Sequence, residues 1–154
     1  MNKVMLKFVS VFLFCVATIY GSEVSPVGKW KTVDDETGRV KSIVIIWKDT
    51  AGKLHGKVEK TFPLPGEDVD PVCDKCEGSR KDKKVIGMEI LWGMTPAEPG
   101  NMLEWENGKI LDPKNGKIYS CLMTVTNGGN SLEVRGFIGF SLIGRSQTWQ
   151  RVSE

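Results

Sequence analysis

With 154 residues and 21 Lys and Arg against 19 Asp and Glu, the chain has material for one hydrophobic core and no basic excess of the kind that neutralises a phosphate backbone. Setting aside residues 1–22, which read as a leader carrying Lys3 and Lys7 and no acid, leaves 19 charges of each sign. That balance argues against nucleic acid, and against an anionic membrane surface, as partners.

In the leader, Lys3 and Lys7 flank the start of an apolar run over 8–19, and small residues follow at Gly21 and Ser22. This is the layout of a secretory signal peptide. The run is shorter than the roughly 20 apolar residues that span a bilayer. A lipoprotein signal wants a small residue before its cysteine, and Phe14 precedes Cys15, so no acyl anchor is expected. The expectation is export to the periplasm or secretion, removal of residues 1–22, no membrane span in the mature form, and a single domain over 23–154.

Turn-forming clusters at 34–38, 49–52, 96–100, 107–108, 115–116 and 127–130 recur at the interval of about 8 to 12 residues that a strand meander produces. Strands are expected at 27–33, 39–48, 53–62, 85–92, 101–106, 109–112 running with 116–126, 131–138 and 145–152. The count of eight rests on whether 101–112 is one bent strand or two. Asn115-Gly116 supplies the positive φ of a tight hairpin. Within these segments the period is two: Leu54, Gly56, Val58 and Phe62 share a face, as do Ile86, Met88, Ile90 and Trp92, then Tyr119, Cys121, Met123 and Val125, and then Leu132, Val134 and Ile138. The strand over 40–48 is apolar in both phases and is expected to be covered on both sides. Short hairpins and one polar face favour an all-β fold: an antiparallel up-and-down sheet closed into a barrel, with an open sandwich as the alternative. An eight-stranded barrel has an interior that side chains fill or that holds one small ligand.

The stretch 63–84 does not alternate. It holds Cys73 and Cys76 between an acidic half (Glu67, Asp68, Asp70, Asp74) and a basic half (Arg80, Lys81, Lys83, Lys84). A redox Cys-x-x-Cys needs a helix N-terminus to lower its thiol pKa, and none is expected here. A structural disulfide bracing the loop suits an oxidising compartment better. A bond from Cys73 or Cys76 to Cys121 is the alternative pairing; otherwise Cys121 is the odd cysteine, and it alternates with apolar neighbours as a buried thiol does. Cys73, Cys76, Cys121 and His55 match a zinc set in type, yet only the first pair has ligand spacing. Asp68, Asp70 and Asp74 have part of a calcium-loop spacing without its glycine and distal glutamate. With one histidine, no nucleophile elbow and no phosphate-cradling loop, no catalytic residue, metal or cofactor is expected. Arg135 and Arg145 have a guanidinium fork suited to a carboxylate or phosphate at a barrel mouth, although a cross-strand ion pair explains Arg135 as well. Met88, Trp92, Tyr119 and Met123 are candidate cavity-lining residues. Phe140, Leu142 and Ile143 punctuate a glycine-rich loop that can meet a partner.

Gly28-Lys29-Trp30 in the first strand and Trp149-Gln150-Arg151 in the last resemble the lipocalin (calycin) arrangement, in which a Gly-x-Trp packs at the closed end of the barrel against a basic residue of the last strand. The strings 70–76 (DPVCDKC), 86–93 (IGMEILWG), 108–113 (GKILDP), 133–139 (EVRGFIG) and 144–149 (GRSQTW) resemble, in that order, a family of exported bacterial proteins catalogued as domain of unknown function 2147. The resemblance implies an envelope protein with a lipocalin-like barrel and carries no established reaction. Together these readings lead to an exported, non-enzymatic barrel binding a small apolar or amphipathic molecule. The alternatives are an envelope protein-interaction module with a filled core, or a Cys-x-x-Cys thiol or metal protein.

Overall fold

Eight segments in which every second side chain is apolar need a common interior, and hairpin connections let neighbouring strands share one. In the computed structural model, which describes residues 24–153, the strands close into one antiparallel barrel in chain order. They are β1 (Gly28–Val33), β2 (Val40–Lys48), β3 (Leu54–Thr61), β4 (Glu89–Pro96), β5 (Glu104–Asp112), β6 (Lys117–Thr126), β7 (Ser131–Phe137) and β8 (Gly144–Arg151). Closure comes from pairing of Trp30 and Lys31 in β1 with Arg151 and Gln150 in β8. An edgeless sheet offers no row of unpaired backbone groups to another chain. No helix among the described residues is long and apolar enough to cross a membrane. The expected leader lies outside the described residues.

Two strand expectations need correction. Residues 104–112 form the single strand β5, and Asn107-Gly108 is not a turn but an irregularity within it: the register against β6 shifts between Trp105 and Gly108, and Asn107 takes φ 62°. An Asn-Gly pair meets the demand for positive φ in a bulge as well as in a hairpin. Strand β4 begins at Glu89 rather than at 85, and its alternation breaks. Register shifts along β3 and a positive φ at Gly93 put Ile90, Leu91 and Met94 inside while Trp92 turns outward. Ile86 is exposed on the approach to the strand.

The doubly apolar β2 is covered less than its composition suggests. Val44 and Ile46 are buried inside, whereas Ile43, Ile45 and Trp47 are half-buried on the outer wall. They stand opposite Lys60, Lys57 and His55 of β3, whose stems shelter them without a second layer of structure.

The densest packing lies at the end where β1 starts and β8 finishes. Trp30, Ile46, Leu54, Met94, Trp105, Met123 and Leu132 are all essentially without solvent contact. Trp30 donates its Nε1–H to the Pro26 carbonyl at 2.7 Å, and the Arg151 guanidinium lies 4.1 Å from its ring centroid. Arg151 also donates to the carbonyls of Gly129, Val27 and Ser25, satisfying groups that would otherwise be stranded where the chain crosses the barrel floor. A Cβ on Gly28 would stand 2.9 Å from Arg151 Nη1, and Gly28 has φ 130°. Only glycine is comfortable there.

Candidate functional site: the open end of the barrel

Strand direction puts four connections at the opposite end: 34–39, 62–88, 113–116 and 138–143. They surround a cavity of about 1060 Å³ that runs down into the barrel. Its floor and lower walls are Val58, Ile90, Ile110, Val134 and Trp149. One layer higher the inward positions become polar. Thr32, Ser42 and Thr61 are cross-strand partners on three adjacent strands. Thr32 and Ser42 share a 2.8 Å hydroxyl–hydroxyl hydrogen bond, and the Thr61 hydroxyl is buried without a partner. Gln147 and Tyr119 line the facing wall. Tyr119 accepts a hydrogen bond from Asn115 Nδ2 at 3.0 Å.

Charge is confined to the rim, where three of the four lining cations are paired. Arg145 meets Asp35 at 2.7 Å, Lys41 meets Asp34 at 3.7 Å and Arg39 meets Glu67 at 3.9 Å. The Asp35 carboxylate bonded to Arg145 raises that guanidinium's pKa further. Hydrogen bonds from Thr37, by side chain and backbone, hold Asp34 below the usual carboxylate range.

Connection 62–88 forms one side of the rim and then folds back over the outer wall. Cys73 and Cys76 form a disulfide and both are buried. Around them Cys73 N–H donates to Lys83 O, Asp82 N–H to Cys73 O and Val85 N–H to Pro71 O, while Val72 bridges Lys84. Lys84 also pairs with Asp70, so the acidic and basic halves of the stretch meet across the loop. Arg80 lies 4.5 Å above the Trp92 ring, pinning the returning chain to β4. The disulfide segment presses on the 113–116 hairpin so closely that a Cβ on Gly116, which has φ 73°, would collide with the Lys75 carbonyl. Connection 138–143 forms another side of the rim. Arg135 leaves the outer face of β7 and donates to Ser141 O, Leu142 O and Ser146 Oγ, fixing a loop on which Leu142 is 91% exposed, Phe140 78% and Ile143 72%.

The six candidate binding residues therefore separate. Tyr119 and Arg145 line the cavity. Met88 and Met123 are buried in the packed core, Trp92 lies outside under Arg80, and Arg135 braces the 138–143 loop from the exterior. Alternation misplaced Trp92 because the register against β3 slips opposite Gly56, so that Ile90 and Leu91 are both buried and the phase has changed before Trp92 is reached. The polar lining was missed, although a signal existed. Thr32, Ser42 and Gln147 each stand two positions from a buried apolar residue (Trp30, Val44, Trp149), in the inward phase and toward the same end.

The zinc set of matching residue types does not assemble. Two of its cysteines are oxidised, and Cys121 is a free thiol inside the barrel, where burial pushes it up to about 12. His55 is on the outer wall, stacked on Trp47 and bonded to Glu89 at 2.6 Å and Asp49 at 3.1 Å. Hydrogen bonding to Glu89, reinforced by Asp49, raises its pKa against the opposing effect of burial. Among the described residues no group of three or more His, Cys, Asp and Glu is arranged to hold a metal ion.

A barrel closed by a tryptophan and an arginine at one end and hollow at the other has lipocalin-like architecture, and the comparisons agree. Protein HP1028 from Helicobacter pylori, described as belonging to the lipocalin family, superposes with a TM-score of 0.69 over 85% of each chain at 18% identity, a likeness of fold. No curated protein matches. The family model for an uncharacterized protein conserved in bacteria (DUF2147) matches residues 28–151, and the chain belongs to that family.

Proposed function

We propose that this protein is an exported, non-enzymatic carrier or receptor that holds one small, partly apolar molecule in the open half of its barrel. The observation that carries the reading is the uneven interior: three tryptophans and their neighbours fill one half, while the other opens through its loops as a cavity of about 1060 Å³ over an apolar floor. Small-molecule sites have this size and character, with an apolar lining and a few fixed polar groups. The two side chains most often recruited for chemistry support a binding role, since His55 faces away from the cavity and the Cys121 thiol stays protonated at ordinary pH. The leader-like segment over 1–22 supports export, and a disulfide suits that compartment.

Native mass spectrometry of protein recovered from the cell envelope of its own host tests the reading. A bound small molecule released on unfolding is the expected result. A bare polypeptide mass, together with no uptake of an apolar fluorescent probe, would overturn it. Recovery of the chain from the cytosol with residues 1–22 attached would remove the export part.

The exposure of Phe140, Leu142 and Ile143 favours a second reading, an envelope-interaction module. A Phe140→Ser, Leu142→Ser double variant separates the two. It retains a cavity ligand if the barrel is a carrier, and loses a stable complex in cross-linked envelopes if the loop is a docking element.

A further inference from the structure

We infer that the cavity selects amphiphiles with neutral or cationic heads and discriminates against anionic ones; this rests on the ligand-binding reading above. Below the rim the walls carry hydroxyls, one amide, a phenol and apolar side chains, and no charged group. An ionised head drawn to that depth would lose its hydration without gaining a counter-charge, which is costly. A charged amphiphile is therefore held with its apolar part against Val58, Ile90, Ile110 and Trp149 and its head at the mouth.

At the mouth the cations are already engaged. Arg145, Lys41 and Arg39 have Asp35, Asp34 and Glu67 as partners, leaving Lys114 as the lining cation for which the described residues show no ion pair. Glu36, Asp68, Asp74 and Asp112 also line the opening, and none of them is in a salt bridge among the described residues. An arriving carboxylate or phosphate must compete with a carboxylate already in place for each guanidinium, and it enters a ring in which acids outnumber bases. An ammonium head meets the reverse, and a sugar or hydroxyl head is indifferent to the charge while the hydroxyl layer offers it partners. The expectation that Arg135 and Arg145 recruit an anionic group thus gives way to the opposite preference. Arg145 is neutralised locally, and Arg135 is outside the cavity.

Three probes with the same twelve-carbon chain isolate the head: dodecyltrimethylammonium, dodecyl maltoside and dodecanoate, titrated below their micelle concentrations by calorimetry at pH 8 and low salt. The expected result is that dodecanoate binds roughly tenfold more weakly than the other two, the scale of a few like charges acting within several ångströms in a partly aqueous site. That gap should narrow in 1 M salt, where charges are screened within about 3 Å. It should also narrow in an Asp34→Asn, Asp35→Asn variant, which releases Lys41 and Arg145. Dodecanoate binding as tightly as the ammonium, or a gap indifferent to salt, would overturn the inference and leave the carrier reading standing. Failure of all three probes to bind would overturn the carrier reading and this inference with it.

Discussion

The two ends of the barrel solve opposite problems with similar parts. At the closed end a tryptophan, an arginine and a short lead-in over 24–27 pack together and satisfy one another's polar groups. The indole N–H is bonded to Pro26, and the guanidinium serves both as a cap for three carbonyls and as a cation over a ring. At the open end the loops keep an opening, expose apolar side chains and spend their ion pairs on one another. Eight of the twelve large apolar side chains that are exposed among the described residues sit on the two connections 62–88 and 138–143: Leu64, Val69, Val72, Ile86, Ile138, Phe140, Leu142 and Ile143. Stability concentrated at one end allows the other to do without close packing, since a domain needs only a modest net free energy to stay folded.

Breaking the packed end should have the largest effect. Trp30→Ala removes a fully buried ring and its arginine partner and should cost about 3–5 kcal/mol, enough to unfold a large share of the molecules in mild urea. Ile110→Ala on the cavity wall should cost under about 2 kcal/mol, because part of that side chain already faces open space. Equal losses in urea titrations of the two variants would mean that the ends are not energetically distinct.

Gly116→Ala probes the open end's own bracing. The added methyl meets the Lys75 carbonyl and the residue must leave its left-handed backbone angle, a combined strain of about 2 kcal/mol. The disulfide loop should lift from the hairpin and become cleavable by protease within 62–88, while amide protection at the closed end persists. Unchanged cleavage would show that the docking is dispensable.

The smallest effect concerns His55 on the outer wall. Its pKa is raised by Glu89 and Asp49, so its contribution is fully present below the unfolded value near 6.5 and is lost as pH rises through the folded pKa. Being partly exposed, the trio is worth under about 1 kcal/mol. The melting temperature should fall slightly as pH increases past 6.5, and His55→Gln should abolish that slope. A slope of the opposite sign, or one that survives the substitution, would assign the pH dependence to other groups.

Several of these features were legible in the sequence because they depend on neighbours in the chain. Alternation in 54–58 and 117–126 shows which side chains turn inward, and the same phase, followed past Trp30 and Trp149, reaches the polar residues Thr32 and Gln147; past Val58 a register shift against β2 turns Thr61, which alternation puts outside, to the interior. The nearness of Cys73 and Cys76 made their disulfide the favoured pairing, and the structure decided it against a bond to Cys121. The trouble came where phase is not local. The slip opposite Gly56 and the irregularity at Asn107-Gly108 reset the inward face of β4 and β5, and a glycine in a strand looks the same whether it bends, bulges or simply tolerates a close neighbour.

From the sequence alone came the meander of strands, the family resemblance, the absence of a basic excess and the favoured cysteine pairing, all of which follow from residue order and composition. The tertiary structure decided that one half of the barrel is packed and the other hollow, that Arg145 is spoken for by Asp35 from 110 residues away, and that the loop over 62–88 braces the outer wall as well as the mouth. Those outcomes hinge on which residues face one another once the eighth strand meets the first, and that register is a property of the closed sheet rather than of any stretch within it.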